Sequence, residues 1–258
     1  MDAVYELRGG SVYATELSRG PWDPGAQHGG GPAAMLMREF ERVDASGADL
    51  MVGRVTYELL RPVPLGDLRI SASVVRPGRR VQLLEGSIWA ADGVEVVRAR
   101  ALKVARAGVS AGSPGGLSPG PEEGRVAEFP FSAGRLFPVD AMDIRFVSGS
   151  FVEPGPSRAW FRLKVPLVSG EQPSGYQRLA AAADFPNGIA TELDWARWLF
   201  INPDLTIHIE REPVGEWIGL DAVMRVAEGG CGQSEAVLYD LSGRVGRSLQ
   251  TLFVASRS

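Results

Sequence analysis

Most of the chain alternates between apolar and polar residues over short segments that end in glycine or proline. Residues 158–165 are an example, because Phe161 and Leu163 alternate with Arg162 and Lys164. This spacing predicts strands with one buried face, separated by tight turns. The strands predicted in this way span residues 54–60, 69–76, 81–91, 94–105, 141–152, 158–165, 200–209, 216–226, 234–239 and 244–255.

The pattern changes to that of a helix in two places. A run of three glycines precedes Pro32, and good helix formers follow it. Because proline is favoured in the first helical turn, a helix is predicted over residues 32–43. A second helix is predicted over residues 174–185.

The two halves of the chain resemble each other at a nearly constant offset of 150 residues. Residues 56–68 align with residues 206–218, and the same offset recurs further along the chain. An internal repeat of this kind is typical of a duplicated structural unit. We therefore expect a pseudo-twofold axis that makes Thr56 equivalent to Thr206.

A composition shift separates the two copies. Residues 107–123 are rich in glycine, serine and proline and show no apolar periodicity, which is typical of a linker. The predicted organisation is an N-terminal unit of residues 1–106, a linker and crossover of residues 107–140, and a C-terminal unit of residues 141–258. Two tandem copies of a long helix wrapped by an antiparallel sheet predict an α+β fold of the double hot-dog type.

The order of several short motifs carries a family resemblance that covers nearly the whole chain outside the linker. The motifs are Trp22, the run from Gln27 to Ala34, the run from Arg61 to Pro64, the run from Arg76 to Val81, Ala183-Asp184-Phe185, the run from Asn202 to Thr206, and Leu249-Gln250. In this order they resemble the double-hot-dog acyl-CoA thioesterases, the thioesterase-like relatives of bacterial acyl-CoA thioesterase II.

The resemblance implies a set of catalytic residues. Thioester hydrolysis needs a positioned water, a group that accepts its proton, and donors for the developing oxyanion. Asp184, Gln250 and Asn202 are implied to hold and activate that water, with Asp184 as the general base. Asn202 stands where close relatives of the bacterial enzyme carry threonine or serine, and Thr206 on the same strand face is the alternative. From the residues alone, Asp184 is also an ordinary turn residue and Gln250 an ordinary exposed strand residue.

The repeat gives a second reason to group these three catalytic candidates. Moving each back by 150 positions leads to residues of a different kind, namely Ala34, Val52 and Arg100. A requirement of the fold would appear in both copies. The sequence therefore predicts one polar site, carried by the second copy.

Two further groups are substrate-binding candidates. His28, Gly29, Gly30 and Gly31 lie at the start of the first predicted helix, where free backbone N–H groups can bind an anion or polarise a carbonyl. The alternative is a turn in which glycine is chosen for its backbone angles.

The second group flanks a Pro-Gly turn and consists of Arg76, Arg79 and Arg80. Guanidinium groups match the geometry of phosphate, so these side chains are candidates for binding the phosphates of CoA. The alternative is a solvated hairpin tip.

Charge and composition exclude several other classes. The chain has 27 basic and 31 acidic residues, a net charge of −4, and no basic run, so nucleic acid is not an expected partner. The single cysteine, Cys231, excludes an internal disulfide or a thiolate zinc site. No metal or organic cofactor is expected. No apolar run approaches the ~20 residues of a membrane span, and the first ten residues lack the pattern of a signal peptide, so a cytoplasmic protein is expected.

The favoured hypothesis is a hydrolase of acyl-CoA or acyl-carrier-protein thioesters in fatty acid metabolism. One alternative is a protein that binds an acyl thioester or another hydrophobic ligand without turnover. Another is a pathway-specific hot-dog enzyme that acts on a tethered acyl chain. A homo-oligomer is left open, and so is the length of the acyl chain.

Overall fold

The computed structural model describes residues 2–43, 47–109, 115–131 and 134–257. Its helices are α1 (Gly30–Arg42), α2 (Gly175–Ala182) and α3 (Pro186–Ile189). Its strands are β1 (Tyr5–Arg8), β2 (Ser11–Ala14), β3 (Leu50–Leu59), β4 (Gly66–Arg76), β5 (Val81–Ala90), β6 (Glu95–Ala105), β7 (Met142–Ser148), β8 (Ser157–Leu163), β9 (Trp198–Ile201), β10 (Asp204–Ile209), β11 (Ile218–Val226), β12 (Cys231–Asp240) and β13 (Gly243–Ser256). None of the helices in these described ranges is both long enough and apolar enough to cross a membrane.

The strands form one continuous sheet in the order β1-β2-β4-β5-β6-β3-β10-β13-β12-β11-β8-β7, and β9 also pairs with β13. The pairings between these strands are antiparallel. Strands from the first half of the chain occupy one side of the β3–β10 junction, and strands from the second half occupy the other. The helices α1 and α2 pack against each other, α1 against β3 to β6 and α2 against β8 and β11. The predicted α+β arrangement of two helices wrapped by antiparallel strands is confirmed.

The junction between β3 and β10 shows how the repeat is built into the fold. Thr206 pairs with Thr56, and its hydroxyl donates to the Thr56 hydroxyl at 3.1 Å. Glu58 pairs with Asp204. Adding 150 to Glu58 and subtracting 150 from Asp204 gives His208 and Arg54, and these two residues also pair. The register is therefore unchanged when the two halves are exchanged, as expected for a pseudo-twofold axis near the two threonines.

The offset of 150 does not hold in the strands that follow. Thr56 pairs with Arg100 on β6, whereas Thr206 pairs with Leu249 on β13, so the equivalent of Gln250 is Ala101. The predicted equivalence of Gln250 with Arg100 is wrong. The reason is the tighter hairpin between β12 and β13, in which Asp240 pairs with Gly243.

The helices also depart from the offset. Ala183 caps the end of α2, so Asp184 follows its helix, whereas Ala34 lies inside α1 and is not its equivalent. The two amides nevertheless belong to the second copy alone, because apolar Val52 and Ala101 stand at their equivalent positions.

Two predicted elements are broken, and each break lies beside a site residue. The helix predicted over residues 174–185 ends at Ala182, and the short α3 begins at Pro186. The strand predicted over residues 200–209 is interrupted between β9 and β10 by Pro203, which has no N–H to donate to a sheet. These breaks place Asp184 and Asn202 at the ends of elements, where their side chains can turn toward each other.

Candidate active site

Asp184 is a buried carboxylate held by two side-chain amides. It is 4% exposed. Its Oδ1 accepts from Asn202 Nδ2 at 2.8 Å and from Gln250 Nε2 at 3.0 Å. Gln250 Nε2 also donates to the Asp184 backbone carbonyl at 3.2 Å. The structure thus brings Asn202 and Gln250 into direct contact with Asp184.

The second carboxylate oxygen of Asp184 faces His28. His28 Nδ1 lies 3.2 Å from Asp184 Oδ2 and accepts from Gly30 N–H at 3.1 Å. The imidazole stacks on Phe185 and Phe137, with ring centroids 4.4 and 5.2 Å away. Burial lowers the pKa of His28 to about 3, so the ring is neutral at physiological pH.

Burial also raises the pKa of Asp184 to about 7. Hydrogen bonds from Asn202, Gln250 and the Gly30 N–H oppose this shift, because they favour the charged form. Near neutral pH the carboxyl group therefore exists in both protonation states. A carboxyl group tuned in this way is suited to accept and return a proton in one reaction cycle.

Glycine is required at the three positions before Pro32, because neighbouring atoms lie too close to the backbone for a side chain. A Cβ at Gly29 would lie 2.7 Å from Asp184 Oδ2, one at Gly30 would lie 2.4 Å from the Ala181 carbonyl, and one at Gly31 would lie 2.7 Å from the Tyr5 hydroxyl. Side chains at these positions would push α1 away from Asp184, from α2 and from Tyr5. The part of these glycines in binding an anion or a carbonyl stays a prediction.

A small cavity of about 60 Å³ opens beside Asp184, and we call it the inner cavity. Its polar lining comes from Asp184, Asn202, Asn187, Gln27, His28 and Gly29, and its apolar lining from Pro21, Trp22, Phe129, Pro138, Phe151, Phe185, Gly188 and Trp195. At roughly 10–15 Å³ per water, this volume accommodates a few water-sized groups. The Asp184 carboxylate therefore faces a cavity in which aromatic residues form much of the lining.

Gln250 and Thr206 occupy positions different from those implied. Gln250 is fully buried and does not line the inner cavity, so it reaches the site only through Asp184. Thr206 donates to Thr56 at the β3–β10 junction. Asn202, and not Thr206, completes the set around the carboxylate.

The arginines of the hairpin between β4 and β5 do not belong to this site. Arg80 lies at the Leu50 end of β3, because Ala105 pairs with Leu50 and donates its N–H to the Arg80 carbonyl. Pro203, the neighbour of Asn202, lies at the other end, because Leu59 N–H donates to its carbonyl. β3 is 10 residues long, which at ~3.3 Å per residue separates its ends by roughly 30 Å. The assignment of Arg76 and Arg79 to substrate binding is therefore withdrawn for geometric reasons, and the solvated hairpin tip is preferred.

Apart from Trp22 and Phe185, the aromatic residues that line the inner cavity were not found from the sequence. Phe129 belongs to the segment predicted as linker and crossover, Phe151 follows β7, and Trp195 lies in the loop before β9. The concentration of aromatic residues in otherwise polar, proline-rich segments was the available signal. Within the described ranges, no group of three histidine, cysteine, aspartate or glutamate side chains is arranged to hold a metal ion.

Comparison with known families agrees with this geometry. Residues 18–104 match the acyl-CoA thioesterase N-terminal domain, and residues 114–254 match the acyl-CoA thioesterase C-terminal domain. The chain belongs to the acyl-CoA thioesterase family. No curated protein gives a significant match to this family member.

Solved structures similar to this thioesterase-family protein have the same fold. A conserved hot-dog protein of unknown function from Alicyclobacillus acidocaldarius superposes with a TM-score of 0.75 at 15% identity, covering 98% of this chain and 96% of that one. An acyl-CoA thioesterase II from Mycobacterium marinum gives a TM-score of 0.69 at 17% identity, covering 98% and 95%. At these identities the likeness establishes the double hot-dog fold, which confirms the prediction.

Proposed function

We propose that this protein hydrolyses acyl thioesters of CoA or of an acyl carrier protein, with Asp184 as the general base. The observation that carries the proposal is the asymmetric environment of the carboxylate. Oδ1 is held by two amide donors, whereas Oδ2 accepts no hydrogen bond from a side-chain amide. One oxygen therefore fixes the orientation of the group, and the other remains available for chemistry.

The reaction follows from this arrangement. Asp184 Oδ2 accepts a proton from a water in the inner cavity while the water oxygen bonds to the thioester carbonyl carbon. The tetrahedral intermediate then expels the thiolate, which takes the proton back from Asp184, so that a carboxylic acid and a thiol are released.

The oxyanion of the intermediate needs a donor, and Gly29 supports that role best. Gly29 lines the inner cavity, and its N–H makes no hydrogen bond to any other described residue. It precedes α1, whose first turn presents partial positive charge. Gly30 and Gly31 are less suitable, because the Gly30 N–H is engaged by His28 Nδ1 and Asp184 and the Gly31 N–H donates to the His28 carbonyl.

Asn202 and Gln250 are assigned positioning roles in this proposal. Both donate to Asp184 Oδ1, so both stabilise the ionised form that the base requires. Asn202 also lines the inner cavity, from which its amide can contact the substrate. Gln250 acts on the reaction through Asp184 alone.

The test is thiol release from a panel of acyl-CoA and acyl-carrier-protein thioesters. The proposal predicts saturable release of thiol with an equal amount of free carboxylic acid. Saturable binding of the same thioesters without thiol release would contradict it and would favour a binding protein. Release of thiol without free acid would indicate transfer of the acyl group to another acceptor.

A further inference from the structure

The inner cavity shares one lining residue with a second, larger pocket. We call this second space the outer pocket; it has a volume of about 580 Å³. Seven of its ten lining residues are apolar, including Pro130, Phe131, Val152, Pro154 and Leu193, and the other three are the charged Glu192, Asp194 and Arg257. Among the described residues, Trp195 alone lines both spaces. Its indole ring is therefore the side chain shared by the small chamber at Asp184 and the larger pocket, and we call this ring the partition.

The partition is held rigidly. Trp195 Nε1 donates to the Phe151 carbonyl at 2.7 Å, and the residue is 8% exposed. Its ring stacks on Trp22 with centroids 5.0 Å apart at 25°, and it contacts Phe200 at 4.6 Å. Turning the indole aside would leave a buried N–H and a buried carbonyl without partners and would break the aromatic contacts. The ring therefore acts as a fixed wall.

We propose that Trp195 determines specificity by restricting the enzyme to short acyl groups, an inference that rests on the proposed thioesterase function. The inner cavity, about 60 Å³ in volume, has room for roughly four to six water-sized groups at ~10–15 Å³ each. The attacking water and the thioester carbonyl occupy part of that space, so only a short acyl group fits beside them. Without the indole, the inner cavity joins the outer pocket. The apolar lining of that pocket then accepts the tail of a longer, linear acyl chain.

The first experiment measures kcat/KM for acyl-CoAs from acetyl to dodecanoyl. Wild type is expected to lose at least tenfold between butanoyl-CoA and octanoyl-CoA. Trp195→Ala is expected to gain at least tenfold on octanoyl-CoA to dodecanoyl-CoA while acetyl-CoA changes by only a few-fold. The matched control is Trp198→Ala, because Trp198 packs on the same aromatic cluster but lines neither space. Parallel chain-length profiles for wild type and Trp195→Ala would overturn the proposal.

A second variant narrows the chamber and carries little risk for folding. A Cβ at Gly188 would lie 3.7 Å from the edge of the Trp195 ring, which is an ordinary contact distance. Gly188→Ala places a methyl group in the inner cavity, and alanine is favoured over glycine in a helix such as α3. The variant is expected to lower kcat/KM for butanoyl-CoA at least fivefold relative to acetyl-CoA. An unchanged ratio of butanoyl-CoA to acetyl-CoA activity would contradict the role assigned to the Trp195 ring.

Binding of S-alkyl-CoA thioethers separates this inference from the proposed function, since thioethers cannot be hydrolysed. S-butyl-CoA is expected to bind wild type at least tenfold more tightly than S-dodecyl-CoA, and Trp195→Ala is expected to reverse the order. If the protein shows this binding order but releases no thiol, the thioesterase proposal is contradicted and the role of Trp195 is supported. Equal affinities for both thioethers in wild type would overturn the wall even if hydrolysis is observed.

Discussion

At the scale of single residues, the site depends on the different surroundings of the two carboxylate oxygens of Asp184. Burial destabilises the charged carboxylate, and two amides and one backbone N–H recover part of that loss. The result is a pKa of about 7 in place of the ordinary 3.8. A base with this pKa binds a proton well enough to take it from water and still returns it to a thiolate.

The first prediction concerns the pH dependence of the rate. A general base works in its ionised form, so activity should fall as pH drops below the pKa of Asp184, about 7. kcat/KM for a short acyl-CoA is expected to rise tenfold per pH unit below 6 and to level off above 8, after subtraction of spontaneous hydrolysis. A midpoint between pH 4 and 5 would show that the acting carboxyl group is not a buried one.

The second prediction concerns Gln250, which acts through Asp184. Gln250→Leu removes a hydrogen bond that favours the ionised carboxylate, so the pKa of Asp184 should rise further. The midpoint of the pH–rate profile is expected to move upward, and the rate at pH 7 to fall about 10- to 100-fold, as for loss of one bond of ~1.5–3 kcal/mol to a charged group. A lower rate with an unmoved midpoint would indicate a merely structural role.

The third prediction concerns stability. Because the folded-state pKa of Asp184 lies above its unfolded value, the ionised carboxylate destabilises the fold, and this loss grows as pH rises from about 3.8 to about 7. Asp184→Asn removes the charge and keeps the shape. Its melting temperature should exceed that of wild type by more at pH 8 than at pH 5, with ~2–4 °C expected for each 1 kcal/mol. An equal difference at both pH values would contradict the assigned shift.

At the scale of elements, the site is made by interruptions that periodicity does not predict. The alternating pattern correctly indicated the long strands, but β1 and β2 have only four residues each and carry too little pattern to detect. Periodicity continued the second helix through Asp184 and joined β9 to β10, because one proline changes the pattern of polar residues very little. The motif order identified Asp184, Asn202 and Gln250, yet their hydrogen bonds depend on tertiary contacts that no local pattern encodes.

The fourth prediction tests the close approach of the two long helices. Gly30→Ala would place its Cβ 2.4 Å from the Ala181 carbonyl, so α1 and α2 would have to separate. A melting temperature lowered by several degrees is expected, consistent with ~1–3 kcal/mol for overpacking. Gly25→Ala is the control, because its Cβ would lie 3.4 Å from Asp23 Oδ1, an ordinary contact distance. Equal stability of both variants would show that the helices tolerate the added carbon.

At the scale of the whole molecule, duplication gives two similar units and one complete site. Val52 and Ala101 replace the two amides in the first copy, and the sheet continues across the axis through Thr56 and Thr206. The repeat was visible in the sequence, whereas the one-residue slip in its second half was not, because hairpin length cannot be deduced from weakly similar strands. The unit boundaries at residues 106 and 141 stay a prediction.

The fifth prediction follows from the single set of amides. Calorimetric titration with S-butyl-CoA is expected to saturate at one ligand per chain. Two equivalent ligands per chain would mean that the first copy also forms a competent site, in spite of its apolar Val52 and Ala101.

The general-base role of Asp184 is tested most directly by comparing thioester hydrolysis by wild type and Asp184→Asn at pH 8, where the wild-type carboxyl group is ionised. Asp221→Asn is the matched control, because Asp221 forms an ion pair with Arg158 on the sheet and does not line the inner cavity. Loss of the base should lower kcat by ~10²- to 10⁴-fold while the variant remains folded, and the control should keep the wild-type rate. Hydrolysis by Asp184→Asn at the wild-type rate would show that Asp184 is not the general base.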